Sequence, residues 1–159
     1  MKGEASRLVD QFTRAHDGDP WHGSSLKEIL KGVDHTLAAR KPANGAHSIW
    51  ELVVHITAWR NEVARRAMDQ PAAEPAEGDY PDVGEPTAAR WQAALDALDA
   101  AHGKLVTVVR GMTDDKLLEP TNDSRDRPLG TGVSYYELLH GIVQHDAYHA
   151  GQIAILKKR

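Results

Sequence analysis

The chain has 159 residues, 41% of them hydrophobic and 26% charged, with a net charge of -4 and no cysteine. That size and balance suit one compact domain over residues 1–159 and exclude a disordered chain. Without cysteine there are no disulfides, thiolate nucleophiles or Cys-ligated zinc and iron–sulfur sites, so nitrogen and oxygen must hold any metal. The acidic balance argues against nucleic acid as a partner, since such domains carry a basic patch. No apolar run approaches the roughly 20 residues of a membrane span. Met1-Lys2-Gly3-Glu4 leads into mixed charge rather than an apolar stretch, so a cytoplasmic location is the expectation.

Residues 4–17 read as a first helix through Leu8, Phe12 and Ala15, stopped by Asp17-Gly18-Asp19-Pro20. After the loop Trp21-His22-Gly23, Ser24 or Ser25 caps a short helix with Leu26, Ile29, Leu30 and Val33 on its apolar side. Glu28 completes a capping-box pattern with Ser25. Lys41 to Gly45 is a turn. Ser48 and Glu51 form a second capping-box pattern, ahead of a helix over about residues 48–69. Its stripe is Ile49, Leu52, Val53, Ile56, Trp59 and Val63. Residues 71–86 hold Pro71, Pro75, Pro81 and Pro86 and read as an irregular crossover, longer than most loops of compact domains. A third long helix is expected over about 86–111 through Trp91, Leu95, Leu98, Leu105 and Val109. Thr113 caps a short extra turn, and residues 119–132 are polar and rich in turn formers. Ser134, with Glu137 after it, opens a last helix to about residue 157. No segment alternates with period two, so no sheet is assigned. The pattern predicts an all-α four-helix bundle with a long crossover connection.

On the last helix the core stripe centres on Ile142, with Leu138, Leu139, Ile153 and Leu156 within about 60° of it. His149 at about -20° and Asp146 at about +40° fall inside that stripe, and His145 lies on its edge at about -60°. Buried polar groups are costly unless they are paired or ligate a metal. His145 and His149, four residues apart, lie one above the other and can aim at one ion. The spacing alone is weak, because nine histidines in this chain give about half of one such pair by chance. His55, about 40° from Trp59 at the edge of its own stripe, is the second interruption. Three inward histidines on two helices admit two readings: a divalent ion with open positions, as in catalytic sites, or a hydrogen-bonded polar core network.

Asp146, Gln152 and Glu51 are placed to accept the other N–H of a ligating imidazole, which fixes its tautomer. A capping role for Glu51 competes with that. Tyr148, at about -120° from the stripe centre, and His22 are pocket candidates. His140 lies opposite the stripe and is expected at the surface, while His16, His35, His47 and His102 have no organised context.

Gln144-His145-Asp146-Ala147-Tyr148-His149-Ala150-Gly151-Gln152-Ile153 resembles the C-terminal signature of the DinB-like family, also called the DinB/YfiT superfamily. Ser48 to Trp59, with His55, resembles its second-helix motif, and Trp21-His22-Gly23-Ser24-Ser25-Leu26 a softer third one. The resemblance implies a four-helix bundle, often a homodimer, with a divalent metal on His55, His145 and His149. Relatives include metal-dependent S-transferases and isomerases that use low-molecular-weight thiols such as bacillithiol or mycothiol.

The expected function is that of a metal-dependent enzyme on a small-molecule substrate. It is either a thiol S-transferase, whose thiol must come from a cofactor because the chain has none, or a hydrolase activating water. A non-catalytic metal- or ligand-binding bundle and a purely structural bundle are the competing classes. Zinc and nickel best suit the imidazole set, with iron and manganese behind them. Trp50, Trp59 and Trp91 are candidates for burial at a dimer face.

Overall fold

The computed structural model describes residues 3–43, 45–123 and 133–158. The described residues form helices and no strand, apart from an isolated bridge between Pro120 and Ser134. The helices are α1 (Glu4–Asp17), α2 (Leu26–Leu30), α3 (His35–Ala39), α4 (Ile49–Arg66), α5 (Ala88–Arg110), α6 (Asp114–Leu118) and α7 (Tyr135–Lys157). Most of the polar stretch at 119–132 lies outside the described residues.

Local chemistry sets most helix starts. Ser48 and Ser134 each close a capping box, with Glu51 and Glu137, and Thr87 and Thr113 accept from the third residue of α5 and α6. The pattern at Ser25 differs: its hydroxyl makes no capping bond and α2 stops after five residues. The reason is Gly32, whose φ of 77° turns the chain out of the helix, after which Asp34 caps α3 by accepting from Leu37 N–H. α4 ends three residues before the expected limit, ahead of Asp69 at φ 63°. Tyr135 Oη (2.7 Å) and Lys116 Nζ (2.8 Å) both donate to Asp69 Oδ1, so this turn ties α4 to α6 and α7.

Four long helices pack in a ring in which α5 and α7 each neighbour α1 and α4. The N-terminal halves of α1 and α7 share one apolar cluster with the C-terminal halves of α4 and α5: Leu8, Phe12, Val63, Leu105, Tyr135 and Leu139 are all in it. α4 and α5 therefore run parallel, and the chain must return along about 27 Å of helix to connect them. This requirement makes the 67–87 connection long. A second cluster, around Trp50, Val53, Ile56, Leu98 and Ile153, fills the other half. Trp50 and Trp91 lie in it 5.2 Å apart, and Trp91 Nε1 donates to the Val33 carbonyl, so neither is left for a dimer face.

Leu105 is fully buried. Leu105→Ala is expected to lower the unfolding free energy by about 2–5 kcal/mol, against about 1 kcal/mol for loss of the α7 cap in Ser134→Ala. Denaturant titration of both variants checks the order and the gap.

Candidate metal centre

Between the two apolar clusters lies a polar layer. α4 and α7 run antiparallel in contact, and their facing turns bring His55 against His145 and His149. His145 Nε2 lies 3.0 Å from His55 Nε2 and 3.1 Å from His149 Nε2. Two nitrogens bound at about 2.1 Å to one ion lie about 3.0–3.4 Å apart, so the spacing fits a shared metal.

The other ring nitrogens fix the tautomers. His55 Nδ1 donates to the Asp79 carbonyl at 2.6 Å, and His149 Nδ1 donates to Gln152 Oε1 at 2.6 Å. Both leave Nε2 as a bare lone pair aimed at the common centre. Burial lowers the pKa of both imidazoles, partly opposed by these two bonds, which keeps them neutral and able to ligate. His145 Nδ1 faces Asp146 Oδ1 at 3.6 Å, and neither atom has a hydrogen-bond partner among the described residues. If His145 instead donated from Nε2 to its two neighbours, its bare Nδ1 would face a buried carboxylate, lone pair against anion. A cation among the three Nε2 atoms removes that conflict by leaving the proton on Nδ1. The donor set therefore fits a divalent ion.

Asp146 is held by Arg60, whose Nε donates to Oδ2 at 2.8 Å, with both side chains almost fully buried (2% and 5% exposed). Burial pushes the carboxyl up, but the guanidinium and His145 outweigh it and hold it below the usual range. Arg60 Nη1 also donates to His16 Nδ1 (3.2 Å), and His16 Nε2 donates to Asp99 Oδ1 (2.9 Å).

Glu51 does not serve His55: it closes the α4 capping box and takes Lys41 Nζ at 2.5 and 2.6 Å. Its place is filled by Asp79 from the crossover, whose side chain accepts from Trp59 Nε1 (2.7 Å) and whose neighbour Tyr80 stacks on His55 at 4.2 Å. Nothing near residue 79 in sequence marks this, because the contact is made only when the crossover lies across the α4–α7 groove. Glu62 anchors that crossover, accepting from Arg65, Arg66 and Ala73 N–H at 2.8 Å each. Tyr148 stands beside His149 (5.1 Å) but is 66% exposed, at the rim. His22 is exposed beside a separate cleft with Ala147 and Gly151. His140 is half-buried with Glu4 at 3.4 Å, not fully at the surface. His47 stacks on Tyr80, and His16 stacks on His102 in the polar layer, so these three do have a context.

Two small clefts lie near the triad, one reaching Gln152 and the other His145. One, about 230 Å³, is lined by Leu52, Ile155 and Leu156 with His47 and Gln152 at its rim; the other, about 210 Å³, includes Trp59, Leu138 and His145. The largest cavity, about 1060 Å³, lies between the α1–α2 loop and α5, does not touch the triad, and has polar walls.

The family model of the DinB superfamily matches residues 21–153, which span all three histidines. No curated protein matches the chain.

Burial, reinforced by Arg60, pushes His16 down to about 3 and His102 to about 4. Their folded pKa values lie below the unfolded value of 6.5, so the unfolded chain binds protons that the folded one excludes. Stability is therefore full above about pH 6.5 and is lost as pH falls towards 4, by at most about 1.4 kcal/mol per pH unit for each imidazole. Denaturant titrations of metal-free protein between about pH 7.5 and pH 5 check the sign; a flat or rising profile on acidification contradicts it.

Proposed function

The chain belongs to the DinB superfamily, and on that premise we propose that it is a divalent-metal-dependent enzyme of the thiol S-transferase type, acting on a small molecule with a low-molecular-weight thiol as cosubstrate. The observation that carries the metal is the convergence of three Nε2 lone pairs with His145 Nδ1 turned to a buried carboxylate. Zinc or nickel suits three imidazoles and no sulfur. Such an ion supplies Lewis acidity that deprotonates a coordinated thiol.

The residues of the chain do the rest. His55 from α4 and His145 and His149 from α7 would hold the ion, with His145 only partly buried and exposed Tyr148 beside His149. One cleft reaches Gln152, the partner of His149, and the other reaches His145, which supports a small molecule binding beside the triad. In the transfer the sulfur lone pair forms the new S–C bond, the leaving group departs with its bonding pair, and the thiol proton passes to solvent. Two carboxylates beside the triad are held by other groups, Asp146 Oδ2 by Arg60 and Asp79 Oδ1 by Trp59.

Elemental analysis of protein purified without a metal-affinity tag is expected to give about one ion per chain, lost in His149→Ala. With zinc or nickel restored, conjugation of a low-molecular-weight thiol to a chromogenic aryl halide is expected, and to be abolished in His55→Ala. Ester or amide hydrolysis without thiol, in place of conjugation, overturns the transferase reading while leaving the metal in place.

A further inference from the structure

Arg60 is a buried cation that the metal reading does not use. It lies on the apolar stripe of α4, four residues after Ile56, and is 2% exposed. Its donors point two ways, to Asp146 of α7 and to His16 of α1. His16 then donates to Asp99 of α5, whose second oxygen accepts from Lys27 Nζ at 2.9 Å. One residue from each long helix thus joins a hydrogen-bonded chain across the bundle. The two ion pairs cancel, so the layer is neutral while His16 is neutral. The chain leaves one atom over: Asp146 Oδ1, which Arg60 does not touch and which faces His145 Nδ1 at 3.6 Å.

We propose that Arg60 is a positioning residue of the metal centre: by seizing Asp146 Oδ2 it fixes the carboxylate so that Oδ1 receives the His145 Nδ1 proton and sets that imidazole to ligate through Nε2. His55 and His149 are oriented by partners that lie outside the layer, Asp79 and Gln152. His145 alone has no such partner except through Arg60. A carboxylate on the far nitrogen also raises the basicity of a ligating imidazole, and loss of such a partner lowers metal affinity by about 10- to 100-fold.

This inference rests on the metal reading, and the test separates the two. Metal-free full-length protein is titrated with zinc against a chromophoric chelator, with the cobalt absorption spectrum and the melting temperature of each variant as further readouts. Arg60→Gln and Asp146→Asn are each expected to weaken zinc binding by about 10- to 100-fold and to shift the cobalt spectrum. The double variant is expected to be no weaker than the worse single one, because both act through one bond. Arg60→Lys, which restores a cation beside Asp146, is expected to recover part of the affinity. Leu105→Ala serves as a control for destabilisation: it lowers the melting temperature and leaves affinity unchanged. Zinc affinity in Arg60→Gln within about twofold of the original, or an equal loss in Leu105→Ala, overturns the proposal. If Arg60→Gln does not fold, Asp146→Asn decides alone by the same criterion. An unsubstituted chain that takes up neither zinc nor nickel overturns the metal reading itself, and this one with it.

Discussion

The Arg60–Asp146 pair constrains the whole bundle. Two opposite charges removed from water are tolerated only with close geometry and with their remaining donors and acceptors satisfied. Here that means α4 and α7 must be aligned so that Nε and Oδ2 meet at 2.8 Å, and α1 must be placed so that His16 can accept from the same guanidinium. α5 is drawn in through Asp99. Apolar side chains on either side pack against each other with some tolerance for sliding; this layer has none. It sets the helix register and divides the core into two apolar halves.

The histidine cluster is a consequence of that register. Once Asp146 is inside the layer, His145 and His149 must project to one side of it, into the groove against α4, where His55 waits. Topology adds the cover. Because α4 and α5 are parallel, the connection between them has to travel the length of the bundle, and its path brings the Asp79 carbonyl and the Tyr80 ring onto His55. Glu62, through Ala73 N–H, pins the start of this path. A stretch needed simply to join two helices thereby becomes part of the site.

The bonds that build the centre also narrow its chemistry. Asp146 Oδ2 is taken by Arg60 and Asp79 Oδ1 by Trp59, which leaves Asp146 Oδ1 as the carboxylate oxygen facing His145. Burial lowers the pKa of His55 and His149, which suits ligation by their neutral rings.

Much of this was legible in the chain alone. Capping serines and threonines, the 3.6-residue stripes and the proline-rich crossover located the long helices to within a few residues, because those signals are local. His55, His145 and His149 stood out because a polar group on an apolar stripe is visible in one helix at a time. Arg60 and His16 carried the same signal, falling on the stripes of α4 and α1 at the spacing of Ile56 and Phe12, but neither has a meaning until its partner on another helix is known. The break of the second helix at Gly32 and the arrival of Asp79 at His55 were decided by tertiary structure, whereas the capping box of Glu51 with Ser48 was readable in the sequence. The sequence determined which faces are buried and which polar residues lie on them; only the packing of four helices decided which of those residues meet, because hydrogen-bond partners far apart in the chain are chosen by register and topology rather than by any local preference.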